Sequence, residues 1–167
     1  LDGEGALGFD RATQIIRQLA NGLHEAHQQG VVHRDIKPAN IMVEQLPAAG
    51  FFARILDFGL VYMIEDVSQT HGFRGTPLYA SPEQCRAKAR VDNRSDIYAL
   101  GCVFFRCLTG RAPFVGDDAV QVMEDHCMAE PPSLNDVRPE LQASTELEGL
   151  VAAMLRKDPE DRPEDLR

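Results

Sequence analysis

The stretch His33-Arg34-Asp35-Ile36-Lys37-Pro38-Ala39-Asn40 sets a carboxylate, a cation and an amide within one short loop. That spacing suits a site that holds a hydroxyl beside a metal-bound phosphate. A carboxylate there can orient the hydroxyl and take its proton, and amide and carboxylate oxygens are the hard donors magnesium prefers. Asp57-Phe58-Gly59 follows, a second metal-ligand candidate on a turn. Chemistry of this kind depends on positioning and on charge stabilisation, so the elements that flank the loop matter as much as the loop.

Those elements are legible as hydrophobic periods. Residues 10–29 are predicted to form an amphipathic helix, with Ala12, Ile16, Leu19, Leu23 and Ala26 at helical spacing and Gly30 as its stop. Val31-Val32 reads as a short strand feeding the His33 loop. Residues 41–43 and 53–56 read as two more short strands, joined by a turn-rich segment from Glu44 to Phe52. No sustained period runs from Leu60 to Ser81, as expected of an irregular surface segment. Residues 96–108 are apolar nearly all round (Ile97, Leu100, Val103, Phe104, Leu108), the pattern of a buried central helix that Gly110 and Pro113 end. Further helices are expected at about 118–128 and 144–156, with the Pro131-Pro132 loop between them. The fold class is mainly α with short β-strands.

The chain has 167 residues, 44% hydrophobic and 26% charged, enough for one ordinary domain core. Cys85, Cys102, Cys107 and Cys127 show no C-x-x-C spacing and read as buried free thiols, which favours a reducing compartment. No run approaches the ~20 apolar residues of a membrane helix, and no signal pattern opens the chain. The expectation is a cytoplasmic protein with no membrane segment in this portion. Of the net charge of −9, none comes from residues 1–116, which carry 12 side chains of each sign. Residues 117–167 carry 14 acidic and 5 basic side chains. Such an acidic half argues against nucleic acid as a partner, since phosphate contacts need clustered Lys and Arg. It is read either as a solvated surface or as a docking face for basic partners.

In their order and separation, the two motifs resemble the catalytic loop and the magnesium-binding turn of the protein kinases. More of the chain is similar to that family. Gly75-Thr76-Pro77-Leu78-Tyr79-Ala80-Ser81-Pro82-Glu83 resembles the end of an activation segment, with Ser-Pro-Glu in place of the usual A-P-E. Asp96-Ile97-Tyr98-Ala99-Leu100-Gly101 resembles the start of the buried helix of the large lobe, and Leu108-Thr109-Gly110 with Pro113-Phe114 its exit. Asp158-Pro159-Glu160-Asp161-Arg162-Pro163 resembles the closing arginine motif. The resemblance covers residues 9–166.

It implies a protein kinase-like fold and phosphoryl transfer from ATP with Mg2+ to serine or threonine hydroxyls of protein substrates. By the same resemblance Asp35 is the base, Lys37 faces the transferred group, Asn40 and Asp57 hold magnesium, and Lys37, Asn40, Met42 and Asp57 line the nucleotide site. Met42 is implied as the floor under the adenine ring, with core packing as its other reading. His33, Phe58 and Gly59 are implied as structural parts of the loop and turn. Glu83 is implied to pair with Arg162, and Asp96 to hold the backbone of the His33 loop. Lys37 and Thr76 resemble the serine/threonine branch, and Ser81-Pro82-Glu83-Gln84 with Arg94-Ser95-Asp96-Ile97-Tyr98 resemble its bacterial type. Arg34 is implied to answer a phosphate on Ser68 or Thr70, which are otherwise plain loop hydroxyls. A homodimer for autophosphorylation is a further implication.

The chain also departs from the family. Gly3-Glu4-Gly5-Ala6-Leu7-Gly8 spells a phosphate-loop pattern, but too little chain precedes it for a strand, and Asp10 stands where the kinase loop has valine. It reads as a flexible lead-in to the first helix. The first lysine is Lys37, so no strand lysine or glycine-rich strand pair precedes the loop. The expectation is that residues 1–167 are a partial catalytic domain, the large C-terminal lobe without the N-lobe and the last helix, and that this portion alone is nearly inactive. The gap between Asn40 and Asp57 is longer than usual for the family, with the surplus in the Glu44–Phe52 turn. Two other classes stay open: a non-catalytic C-lobe docking module, and a kinase-fold phosphotransferase acting on small molecules.

Overall fold

Apolar side chains recurring every three or four residues make Phe9–Gln28 one helix, α1, with Ala12, Ile15, Ile16, Leu19, Leu23 and His24 facing inward. The structure is a computed structural model and describes residues 1, 3–46, 50–56, 77–86 and 91–166. The α1 helix lies against a hairpin and against the central helix. Its Gln18 closes the hairpin edge: Oε1 accepts from Ala53 N at 2.8 Å and Nε2 donates to Phe51 O at 3.3 Å. Backbone groups that an edge strand would leave unpaired are satisfied in this way.

The hairpin consists of β1 (Ile41–Leu46) and β2 (Gly50–Ile55), antiparallel and in register from Ile41↔Ile55 to Leu46↔Gly50. Pairing therefore runs through most of the segment expected to be a turn. Glu44 faces Phe52 and Gln45 faces Phe51, and the two aromatics favour the extended chain more than Glu and Gln oppose it. The expected strand at Val31-Val32 is absent. Val31 N instead donates to Ala26 O at 3.0 Å, extending the end of α1. The amides of His33 and Arg34, which a strand would have used, go to a carboxylate on the central helix.

That central helix, α3, spans Asn93–Thr109 and is buried on all sides from Ser95 to Phe105. It begins earlier than its apolar run because Asp92 caps it, accepting from Arg94 N at 2.9 Å. Each fully buried Leu, Ile or Phe contributes about 1.5–3 kcal/mol of transfer free energy, so α3 is the main source of core stability. Gly101 allows the closest approach: a Cβ there would meet Met154 Cβ at 2.8 Å, where α6 (Thr145–Met154) crosses. Gly110 ends α3 in the left-handed region at φ 87°.

The glycine-containing segment before α1 is docked and not the flexible lead-in expected. Leu7 is buried, its N donates to Cys107 O at 2.7 Å, and its O accepts from Arg138 Nη1 at 3.1 Å. A buried leucine and two backbone bonds outweigh the freedom of its glycines.

Four further elements surround α3. The helix α4 (Ala119–Met128) is capped by Asp118 and α6 by Ser144. Two single-turn helices, α2 (Pro82–Cys85) and α5 (Leu134–Val137), carry serine caps and are too short for a period to reveal. Of the cysteines, Cys102 and Cys107 are buried and Cys85 and Cys127 only partly so, and all four are free thiols. Burial pushes Cys107 up to about 11 and Cys85 up to about 12, which leaves both unreactive at neutral pH. Among the described residues no helix is long and apolar enough to cross a membrane.

One polar cluster sits inside this core. His126 of α4 is fully buried, with Nδ1 2.9 Å from the Tyr98 hydroxyl of α3 and its ring edge-on to Phe114 at 4.9 Å. Lys157 donates to His126 O at 2.9 Å and lies 4.3 Å over the Phe114 ring. Burial, and then the Lys157 charge, push the His126 pKa down to about 4. Burial likewise pushes Lys157 down to about 8.

The histidine gives a pH expectation with a definite sign. A folded pKa below the unfolded value of 6.5 means that the unfolded chain takes up the proton first. Stability is unaffected by this group above about pH 6.5 and falls progressively towards pH 4, by about 3 kcal/mol in all. Urea denaturation at pH 7 and pH 4.5 checks this: His126→Phe should lose visibly less stability across that interval than the wild type.

Candidate active site

Asp96 is the first fixed point of the site. It lies in the first turn of α3 with no solvent exposure. Its Oδ2 accepts from His33 N at 2.8 Å and its Oδ1 from Arg34 N at 2.8 Å. The Nε2 of His27, on the last turn of α1, is 2.8 Å from Oδ2. A buried carboxylate with this many donors is well satisfied, and it ties the loop to two helices at once.

Arg34 needs such a tie, because its φ is 67°, a left-handed conformation costly for a residue with a Cβ. Its carbonyl is held from the other side by Gln84 Nε2 at 2.7 Å. Gln84 belongs to a capping box in which Ser81 and Gln84 satisfy each other's backbone amides at the start of α2. The backbone around Arg34 is thus pinned between α3 and α2.

Beyond it the loop turns Asp35 outward. His33 Nδ1 accepts from Asp35 N at 3.2 Å, which assigns the ring proton to Nε2, the atom 3.2 Å from Leu56 O. Asp35 Oδ2 accepts from Lys37 Nζ at 2.8 Å and from Asn40 Nδ2 at 2.9 Å. Asn40 Nδ2 also donates to Asp35 O at 2.9 Å. Asp35 is about half exposed, and among the described residues no bond reaches its second oxygen. The single turn Pro38–Asn40 sets this geometry, since proline fixes the turn and Asn40 N donates to Lys37 O at 2.9 Å.

The same contacts test whether magnesium fits. Both partners of the Asn40 amide nitrogen are acceptors, so Oδ1 must face away from Asp35, and among the described residues nothing donates to it. A neutral oxygen so placed suits a hard cation. Leu56 N donates to Asn40 O at 2.8 Å, which carries the chain from Asn40 to the residue before Asp57. Asp57, Phe58 and Gly59 lie outside the described residues, as do Ser68, Thr70 and Thr76. Among the described residues no three His, Cys, Asp or Glu side chains converge as a metal site.

Met42 is 40% exposed, on the hairpin face that also carries Phe52, with its sulfur 3.2 Å from the Arg54 guanidinium. Its reading as a core residue is therefore overturned: Ile41 points inward, and strand alternation turns Met42 out.

Glu83 and Arg162 meet in a buried, bidentate pair, both bonds at 2.8 Å. Ser95 Oγ donates to the same carboxylate. Burial alone would raise the Glu83 pKa, but the Arg162 and Ser95 bonds outweigh it and hold the carboxylate below its ordinary value. Arg162 also donates to Arg94 O, Arg156 O and Lys157 O, and its guanidinium lies 4.8 Å over the Tyr98 ring. The outcome is that α2, carrying Gln84, is anchored to α3 and to the end of the chain.

His27, Gln84, Ser95 and the Tyr98–His126 pair take part in this framework without having been anticipated. Only Gln84 had a local signal, the S-x-x-Q spacing of a capping box.

Comparison with known proteins places these contacts in context. The family described as protein kinase domain matches residues 1–165. Serine/threonine-protein kinase pkn3 of Myxococcus xanthus is 39% identical over 169 residues, covering 98% of this chain and 31% of that protein. Serine/threonine-protein kinase PknB of Mycolicibacterium smegmatis is 41% identical, covering 95% of this chain and 25% of that protein. PknB of Mycobacterium tuberculosis is likewise 41% identical, with the same coverage. The chain therefore spans about a quarter to a third of the length of these relatives.

Proposed function

Since the chain belongs to the protein kinase family, we propose that it is the large-lobe portion of a serine/threonine kinase that phosphorylates protein substrates. The observation that carries this reading is the Asp35 carboxylate, aimed outward by Lys37 and Asn40 on a backbone pinned by Asp96 and Gln84. A carboxylate held on one oxygen and open on the other orients a hydroxyl and accepts its proton. Magnesium-bound ATP would supply the phosphoryl group and offset its charge.

Asp35 would receive the serine or threonine hydroxyl at its second oxygen and take its proton as that hydroxyl oxygen bonds to the terminal phosphorus of ATP and the phosphorus–oxygen bond to ADP breaks. Lys37, held beside it at 2.8 Å, offers a positive charge where negative charge develops. Asn40 Oδ1 would hold one metal ion, with Asp57 as the charged ligand beside it. The half-exposed Met42 is suited to lie under the adenine ring. Arg34 would meet a phosphate on Ser68 or Thr70 once the kinase is activated.

A preference for protein over small-molecule substrates is supported by the Glu83–Arg162 anchor, which builds a supported ledge leading up to Arg34. The test is label transfer from radioactive ATP by the full-length kinase to three peptides that differ only in carrying Ser, Thr or Tyr. Label on the Ser and Thr peptides is expected. Transfer to the Tyr peptide alone, or to none of the three, overturns the reading.

A further inference from the structure

Gln84 uses both ends of one side-chain amide. Its Oε1 accepts from Ser81 N at 3.0 Å, which closes the capping box of α2. Its Nε2 donates to Arg34 O at 2.7 Å, 50 positions away in the chain. The two partners fix which end is which. A backbone N–H only donates and a carbonyl only accepts, so the amide cannot be turned over without losing both bonds.

The capping box alone does not call for glutamine, because a glutamate at the same place accepts from the Ser81 amide equally well. The Arg34 carbonyl does call for it. An ionised carboxylate has no proton to give and would set acceptor oxygens against that carbonyl. The residue type at position 84 is therefore specified by the His33–Asn40 loop and not by the helix that carries it.

What the bond holds is the peptide unit just before Asp35. The carbonyl end of that unit is held by Gln84, and its N–H end, Asp35 N, donates to His33 Nδ1 at 3.2 Å. Arg34 enters the unit at φ 67°, with its own N bonded to Asp96 Oδ1 at 2.8 Å. A peptide unit is planar and moves as one piece, so rotation about either bond that flanks it re-aims the Asp35 side chain. Without Gln84, the longer bond to His33 alone resists that rotation. The support behind Gln84 is firm, since the residue before it, Glu83, is buried and paired with Arg162 through two bonds of 2.8 Å.

We propose that Gln84 is a positioning residue for Asp35. Its amide N–H holds the Arg34–Asp35 peptide unit in the orientation that aims the carboxylate outward, and it ties that aim to α2. This rests on the reading of Asp35 as the base of a protein-phosphorylating kinase. Gln84 acts through the loop backbone, so its effect falls on kcat.

Steady-state kinetics of the full-length kinase on a Ser or Thr peptide test it. Gln84→Glu keeps the capping box and removes the donor. Its kcat should fall about tenfold, as for one lost hydrogen bond, with the ATP KM and the melting temperature close to those of the wild type. Gln84→Met has similar length and no donor, so it should lower kcat in the same way, and it serves if Gln84→Glu does not fold. In an Asp35→Ala background neither substitution should lower kcat by more than about twofold, because no carboxylate remains to be aimed. A glutamine that only caps α2 would leave the kcat of Gln84→Glu at the wild-type value while Gln84→Met lowered the melting temperature. That result overturns the proposal, as does an equal loss of kcat with and without the Asp35 carboxylate. A wild-type kinase that labels no Ser or Thr peptide, or an Asp35→Ala variant as active as the wild type, instead overturns the functional reading beneath it.

Discussion

Replacing Asp35 with alanine in the full-length kinase should lower kcat for peptide phosphorylation by about 10²–10⁴-fold, the usual contribution of a positioned general base. The ATP KM should change little, because on the proposed reading the carboxylate serves the acceptor hydroxyl and not the nucleotide. The structure adds a reason to expect the upper part of that range. Asp35 Oδ2 is the shared acceptor of Lys37 Nζ and Asn40 Nδ2, so alanine also releases the cation and the amide from their common partner. Asp35→Asn is the informative companion. It preserves the size of the side chain while losing the negative charge that holds Lys37, and it should fall nearly as far as alanine. Peptide phosphorylation at an unchanged rate in Asp35→Ala would defeat the mechanism.

Glu83→Ala should be the most destabilising single substitution among the residues described. It leaves Arg162, whose side chain is fully buried, without its carboxylate, and breaking a buried pair from one side costs about 3–5 kcal/mol. For a domain of this size that is a fall in melting temperature on the order of 10 °C. Removing both partners should be milder than removing one, because Glu83→Leu with Arg162→Met leaves no unpaired charge. Arg162 still has three backbone carbonyls as acceptors, which moderates the loss without replacing a carboxylate. Thermal denaturation of the single and double variants checks the order, and a shift under about 2 °C for Glu83→Ala would sink it.

Much of this framework could be read from residue types in order. Asp35, Lys37 and Asn40 lie within six residues of one another, so their side chains meet through local turn geometry alone. The pairs Glu83–Arg162 and Asp96–His33 lie far apart in the chain, and only resemblance to a family could connect them. The helices were legible where an apolar pattern ran for three turns or more, as in α1 and α3, and the ten-residue α4 and α6 were expected on either side of the Pro131-Pro132 loop. One-turn helices such as α2 lie below the resolution of any period, although Ser81 and Gln84 do mark its cap. The hairpin was underestimated because Glu44, Gln45 and Gly50 suggest a turn, whereas the cross-strand partners Phe51 and Phe52 decide for a ladder.

His27 and His126 illustrate the other limit. Each is an unremarked histidine on a helix, and each acquires its meaning from a residue on α3, Asp96 or Tyr98, through contacts spanning 69 and 28 positions. Nothing local distinguishes such a residue from an ordinary core histidine. The left-handed backbone at Arg34 is equally silent, because its sequence neighbours do not demand it; the Asp96 carboxylate does.

The Asp96 contacts bear finally on when the loop of residues 33–40 is ordered. Two of its amides are bonded to a side chain rooted in the most deeply buried helix of the described residues, so opening them to solvent leaves a fully buried carboxylate short of two donors. In terms of cooperative units, the loop belongs to the core and not to the surface, despite its irregular backbone. The entropy of fixing the loop is therefore lost when the chain folds and not when a ligand arrives.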